Sequence, residues 1–462
     1  MYSPFAVSDN THHPINSALP DTDADRVEAL HAAMPTNGMF AEKSWRWSPK
    51  PFPLAPATVR QLEALGNRLW RFQRAANGIY HRSRKGTLPE WIAETLDRGK
   101  PEQLLEIANH PALREALPRV IRPDLILTEN GFAMTELDSV PGGIGLTAWL
   151  GESYAAIDPQ RGANLVGGAD GMVEGFRSLL PSDKGVDIVI SDEARDYRPE
   201  MEWLAGRLGE AWRVSAAEGY QASDRSIYRF FELFDLPNLP GAFEWAAAQA
   251  KEKLDLNAPF KPFLEEKAWS ALFWMRPLQA IWRRELRDSH WQYLRDLIPY
   301  SWLINPEPLP AHAVIPRLEI QDFAELKHFS QTERDLVLKI SGFSELAWGS
   351  RSVSIGSDQS QAEWADAVDD AMASWDRAPY VLQTFHKGRL VEHPFWNEER
   401  GEMEMMEGRV RLCPYYFVDA VTEKKIRLGG VLATICPADK KILHGMSDAI
   451  LVPCAVSEED GY

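Results

Sequence analysis

Arg122-Pro-Asp124-Leu-Ile-Leu-Thr-Glu129-Asn130-Gly131-Phe-Ala-Met-Thr-Glu136-Leu-Asp138 is the stretch on which the reading of this chain turns. Val120 to Leu127 is short and apolar, and Phe132 to Asp138 runs extended. Asn-Gly between two such runs is a strong hairpin signal. Residues i and i+2 of a strand share a face, so Glu136 and Asp138 stand side by side. Arg122 and Asp124 do the same on the neighbouring strand. Three carboxylates on one face repel one another without a cation. Asp124, Glu136 and Asp138 are therefore candidate ligands for a hard divalent ion such as Mg²⁺, which takes oxygen donors and bridges protein to phosphates. Arg122 suits an anionic oxygen of a substrate or transition state and is the candidate catalytic residue. Register decides whether the pairs meet. A two-residue turn at Asn130-Gly131 pairs Leu125 with Glu136 and throws Asp124 to the other face. A three-residue loop, Glu129 to Gly131 with Gly131 left-handed, pairs Asp124 with Glu136, and the metal reading requires it. The alternative is a solvent-facing polar hairpin face.

Outward from the hairpin, Ser139 to Gly145 reads as a loop into a helix. Upstream, residues 1–56 read as an irregular arm. Val59, Leu62, Leu65, Leu69 and Phe72 then recur at helical spacing, so 57–160 is expected to hold helices plus the hairpin. Downstream, Val186 to Ser191, a helix from Pro199 to Leu208 and a strand from Ala211 to Ser215 form a βαβ pattern, a small Rossmann-like α/β subdomain over 185–240. Residues 241–330 form a helical segment whose tryptophans fall at core spacing. Strands return over 331–462: Leu336 to Ile340, Tyr380 to Phe385, Arg409 to Val418, Leu428 to Ile435 and Ala449 to Pro453. Met403, Met405 and Met406 sit in an acidic stretch that reads as a mobile loop. The expected class is mixed α/β, with antiparallel sheets, the small α/β layer and the helical segment.

The 462 residues call for several packed units. With 45% hydrophobic and 25% charged residues, the chain is neither disordered, collagenous nor a disulfide scaffold. A net charge of −17 argues against nucleic acid and anionic lipid as partners. Cys413, Cys436 and Cys454 lack metal-ligand spacing and read as buried thiols in a reducing cytoplasm. The N-terminus lacks a secretory pattern, and no run approaches the ~20 apolar residues that a membrane span needs.

Lys339, at the end of Leu336-Val-Leu-Lys-Ile, is followed by Ser341-Gly342 and a second turn at Gly349-Ser350. Backbone N–H groups of such a loop beside an ammonium can cradle oxyanions, while an exposed strand-end lysine is the plainer reading. Tyr380-Val-Leu-Gln383 is a strand whose edge could offer groups to an adenine. His444, beside Gly445, reads as a loop histidine.

The order and spacing of these features resemble the synthetase domain of glutathionylspermidine synthetase, a circularly permuted ATP-grasp ligase. That family has an Arg-x-Asp strand, then a Glu-x-Asn strand twelve positions on, matched here by Arg122-Pro-Asp124 and Glu136-Leu-Asp138. Ile227-Tyr-Arg-Phe-Phe-Glu232, the helix start at Phe263 to Leu272, Lys339, Tyr380 to Gln383, and Gly429 to Ser447 are similar to family elements in the same order. The resemblance spans roughly residues 60–455. It implies an ATP- and Mg²⁺-dependent ligase joining a small-molecule acid to an amine through an acyl phosphate. Lys339, Ser341, Gly342, Gly349, Ser350 and Gln383 would hold ATP, and Asp124, Glu136 and Asp138 the metal. Three departures stand out. Asp138 replaces Asn. No second ATP lysine precedes the hinge strand, where Arg377 or Lys387 would have to substitute. The amidase-like domain is absent. A degenerate nucleotide-binding or scaffold member without ligase activity is the rival expectation.

Overall fold

Apolar residues at both ends of strand Val120–Thr128 pull it into the core, with Val120, Ile121 and Leu125 fully buried and seven of its nine residues buried in all. In the computed structural model, which describes residues 19–35, 39, 44–251, 253–347, 351–422, 425–445, 447–459 and 461–462, this strand lies near one edge of a seven-stranded sheet. The order is Phe52–Leu54, Ile450–Val456, Ile426–Pro437, Glu402–Val418, Val120–Thr128 and Gly131–Asp138, with Val391–Asn397 also paired to Glu402–Val418. All neighbours are antiparallel except Phe52–Leu54 beside Ile450–Val456. The long helix Pro56–Arg84 packs on this sheet through Val59, Leu62, Leu65 and Leu69, the helical spacing seen in the sequence. Its Gly66 lets the backbones approach: a Cβ there would sit 2.5 Å from Tyr416 Cδ1.

A second, four-stranded antiparallel sheet runs Ser354–Ile355, Leu336–Ile340, Tyr380–Thr384, Ser301–Leu303. The helix Gln361–Ala373, begun by a Ser360–Glu363 capping box, covers it with the fully buried Trp364. A third sheet is wholly parallel, in the order Trp212–Ala216, Val186–Ile190, Ser226–Phe230, Leu256–Asn257. Val186–Ile190 is buried throughout, as a parallel strand covered on both faces should be. Its one charge, Asp187, is held by Arg213 at 2.7 Å, Arg225 at 2.6 Å and the Tyr220 hydroxyl at 2.6 Å. The helices Ala268–Trp274, Gln279–Leu286 and Asp288–Leu297 bury Trp269, Trp274, Trp282 and Trp291. Trp282 stacks on Phe72 with centroids 5.1 Å apart. These tryptophans are core.

Three expectations are corrected. Among the described residues before position 57, Asp23–Ala33 is a helix begun by a Thr22–Asp25 capping box, not irregular chain. Met403, Met405 and Met406 lie in strand Glu402–Val418, opposite Val391–Asn397, not in a loop. Their polar, methionine-rich alternation marks an edge hairpin of the large sheet. The hairpin register is the third correction and belongs with the site. Cys413, Cys436 and Cys454 are free and buried, as expected. No helix among the described residues is long and apolar enough to cross a membrane.

Candidate active site

Asp124 pairs with Glu136 and Arg122 with Asp138, as the site reading requires, but the turn does not set this register. Gly131, at φ 109°, pairs with Thr128, so the loop is the two residues Glu129-Asn130. The one-residue shift comes from a bulge between Leu125–Met134 and Asp124–Glu136, where Thr135 is the extra residue. The bulge has a use. It leaves the Thr135 carbonyl free of the ladder, and the Lys339 ammonium donates to it at 2.6 Å. Lys339 also donates to Gln383 Oε1 at 3.0 Å, and Gln383 donates to Ser301 Oγ at 3.0 Å. The hairpin of the large sheet and the strands of the second sheet thus meet at one lysine.

Between them lies a cleft of about 350 Å³. Asp124, Glu136, Lys339 and Gln383 all line it, so the hairpin and the strand-end lysine share one cavity. Among the described residues seven cations line the cleft (Lys267, Lys339, Lys387, Arg409, Arg411, Lys440 and Lys441) against the three carboxylates Asp124, Glu136 and Asp439. In a chain of net charge −17 this local excess of positive charge favours an anionic ligand.

Arg122 faces elsewhere. Its guanidinium lies between Asp124, at 3.1 Å, and Asp138, at 3.2 Å, and it does not line the cleft. The arginine that does is Arg411, 2.9 Å from the other Asp124 oxygen. Sequence reasoning missed Arg411. The signal was present, because Arg409 and Arg411 alternate with apolar residues along one strand and so share a face. Lys267 was also missed as a site residue. It pairs with Glu136 at 2.9 Å and donates to the Ala347 carbonyl at 3.1 Å.

These pairs set the charge states. Burial pushes the Asp124 carboxyl up, but Arg122 and Arg411 outweigh it and hold it below the ordinary range. Burial likewise opposes ionisation of Glu136, and Lys267 more than compensates. Asp138 goes the other way: burial, with Glu136 and Asp124 nearby, raises it despite Arg122. Burial and the neighbouring Lys267 depress the Lys339 ammonium to about 8. Lys267 itself is raised, because Glu136 outweighs its burial.

The same pairs answer the metal question. Both Asp124 oxygens are engaged by arginines. Asp138 is engaged by Arg122 and by the Val140 N–H at 2.9 Å. Glu136 holds Lys267. No group of three acidic, histidine or cysteine side chains among the described residues is arranged to hold a metal. The expected Mg²⁺ trio of Asp124, Glu136 and Asp138 does not fit the ion, since each member already carries a protein cation.

The proposed ATP loop is distributed. Ser341 is buried, its hydroxyl bonded to Glu266 and accepting from the Ala268 N–H at 2.8 Å. Glu266 is itself held by the buried Lys100 at 2.6 Å. Ser341 therefore anchors the strand end to the start of helix Ala268–Trp274 and does not line the cleft. Gly342 lines a smaller neighbouring pocket with Glu136, Asp138 and Lys267. Gly349 and Ser350 lie outside the described residues.

The fold is a mixed α/β arrangement of three sheets with helices on their faces, and one solved structure shares it over nearly the whole chain. A glutathione synthetase-like effector from Globodera pallida, in its apo form, aligns with TM-score 0.51 and 10% identity, over 94% of this chain and 95% of that one. A candidate gamma-glutamylcysteine synthetase from Methylobacillus flagellatus KT aligns with TM-score 0.39 and 10% identity, over 77% of this chain and 85% of its own. No protein-family model matches the chain, and no curated protein matches it in sequence. At 10% identity the first likeness is one of fold alone.

Proposed function

We propose that this chain is an ATP-dependent ligase joining a small-molecule carboxylate to an amine, with ATP held in the cleft between the hairpin and the Lys339 sheet. The observation that carries the reading is the cation-lined cleft to which Lys339, Lys267 and Arg411 all contribute. The fold shared with a glutathione synthetase-like effector agrees with it. A permuted ATP-grasp order and a cytoplasmic setting, in keeping with three free buried thiols, belong to the same reading.

The substrate carboxylate attacks the γ-phosphorus, the bond to the bridging oxygen breaks, and ADP leaves. The amine then attacks the acyl carbon, loses a proton, and phosphate departs. Lys339 neutralises charge on the transferred phosphoryl group, and Lys267, still paired with Glu136, adds positive charge to the same cleft. Arg411 faces the cleft where an oxyanion develops. Arg122 acts through others, holding Asp124 and Asp138 in place. Such a site relies on positioning and preorganised charge and needs no protein nucleophile. The residues present do not fit Mg²⁺, so no step is routed through it.

The test is ADP release from ATP, with and without Mg²⁺, across a panel of acids and amines. Release that requires both co-substrates establishes the ligase. A second reading, a nucleotide-binding or scaffold member without ligase activity, is favoured by one observation: Asp124, Glu136 and Asp138 are all consumed by internal cations. ATP binding with no co-substrate pair that releases ADP would establish it. If ATP does not bind, the ligase reading falls and the scaffold form of the second reading stands.

A further inference from the structure

Beside the cleft, sharing Thr135, Glu136, Lys267 and Gln383 with it, lies a second chamber of about 50 Å³. Its walls are mostly apolar: Phe72 and Ala76 from the long helix, Met134 from the hairpin, Leu264, Trp269 and Ile298 from the helical segment. Protein interiors close-pack, and an unfilled apolar space costs stability in proportion to its volume. One polar side chain from the long helix lines this chamber deep in the core. Gln73 is 3% exposed, its amide nitrogen donates to Ser139 Oγ at 3.3 Å, and its Oε1 is buried with no hydrogen-bond partner among the described residues. A buried acceptor left unpaired is costly, so it marks a place where a donor is wanted.

We propose that this chamber is a substrate subsite that takes a short aliphatic group ending in a neutral hydrogen-bond donor, a hydroxyl or an amide N–H, with Gln73 as the specificity-determining acceptor. The inference rests on the reading of the cleft as a substrate site. Size sets the first limit. At roughly 10–15 Å³ of such space per water-sized group, the chamber holds about three to five heavy atoms. Charge sets the second. The ionic groups at its mouth are already paired, Lys267 with Glu136 at 2.9 Å and Lys100 with Glu266 at 2.6 Å. Beyond those pairs an ammonium or carboxylate would meet apolar walls and only neutral polar side chains, Gln73, Thr135, Ser270 and Gln383, and burying an unpaired charge there is prohibitive. A purely alkyl group would leave Gln73 Oε1 unpaired. A neutral donor on a short chain satisfies both.

The experiment uses the full chain and two probes of matched size, propan-1-ol and 1-chloropropane, with dissociation constants read by ligand-observed NMR. ATP binding is measured in parallel. Wild type should prefer propan-1-ol by about fivefold to tenfold, the worth of one net hydrogen bond. Gln73→Leu should abolish or reverse that preference while ATP binding stays unchanged. Ala76→Leu fills the chamber and should exclude both probes. If Ala76→Leu does not fold, the Gln73→Leu preference decides alone. Equal affinity for the two probes in wild type, an unchanged preference in Gln73→Leu, or no probe binding overturns the subsite. Probe binding without ATP binding keeps the chamber and sinks the ligase reading. ATP binding without probe binding does the reverse.

Discussion

Replacing Lys339 by Met should stabilise the protein at neutral pH and destabilise it at high pH. The folded structure depresses the Lys339 ammonium from 10.5 to about 8, chiefly by burial. That shift corresponds to about 3 kcal/mol of unfavourable free energy, carried whenever the lysine is charged in both folded and unfolded states. The sign follows from the depressed value. The cost is complete below pH 8, fades as the pH rises, and is gone near 10.5, where the unfolded lysine also loses its proton. Methionine removes this cost but leaves the Thr135 carbonyl and Gln383 Oε1 without their donor. Two lost hydrogen bonds cost about 2 kcal/mol together. The variant should therefore be about 1 kcal/mol more stable than wild type at pH 7 and about 2 kcal/mol less stable at pH 10.5. Urea unfolding of both proteins at the two pH values measures the difference. The variant should also lose the stabilisation that ATP gives the folded wild type. A variant less stable than wild type at pH 7, or a difference that does not change with pH, would refute the reasoning.

Arg411→Ala leaves one Asp124 oxygen buried without its cation and should cost about 3 kcal/mol, seen as a lower denaturation midpoint at pH 7. Because the depressed Asp124 carboxyl stabilises wild type only while ionised, the deficit should shrink as the pH falls through its titration. Mg²⁺ without nucleotide should not raise the melting temperature, since the three carboxylates already hold protein cations; a rise that saturates with Mg²⁺ would restore the metal site. Gly143→Ala should cost 2 kcal/mol or more: Gly143 sits at φ 83° at the start of helix Ile144–Ile157, and a Cβ would come 2.6 Å from the Tyr415 hydroxyl. Thermal melting at constant pH measures that loss.

The hairpin was legible because its information is local. Asn-Gly between two apolar runs marks the turn, and the two-residue period places Arg122, Asp124, Glu136 and Asp138 on facing strands. Strand Leu336–Ile340 was read to the residue, since an apolar run closed by Ser-Gly has sharp ends. The Thr135 bulge was not legible. It produces the same Asp124–Glu136 pairing that a longer turn would, and the two differ only in whether the Thr135 carbonyl is free for Lys339. Nor was the division of labour between the arginines. Both arginines lie on strands of the large sheet, and only the packing of Glu402–Val418 against Val120–Thr128 puts Arg411 in the cleft while Arg122 pairs with Asp124 and Asp138 outside it. The cations beside the three carboxylates were hidden for the same reason. A row of acids in one stretch implies a cation, but the cations are Arg122, Arg411 and Lys267, two of them brought from distant elements by tertiary packing. Sequence periodicity determines which face a side chain takes; which charge meets it there depends on how separate sheets and helices pack, and the chain order does not encode that distance.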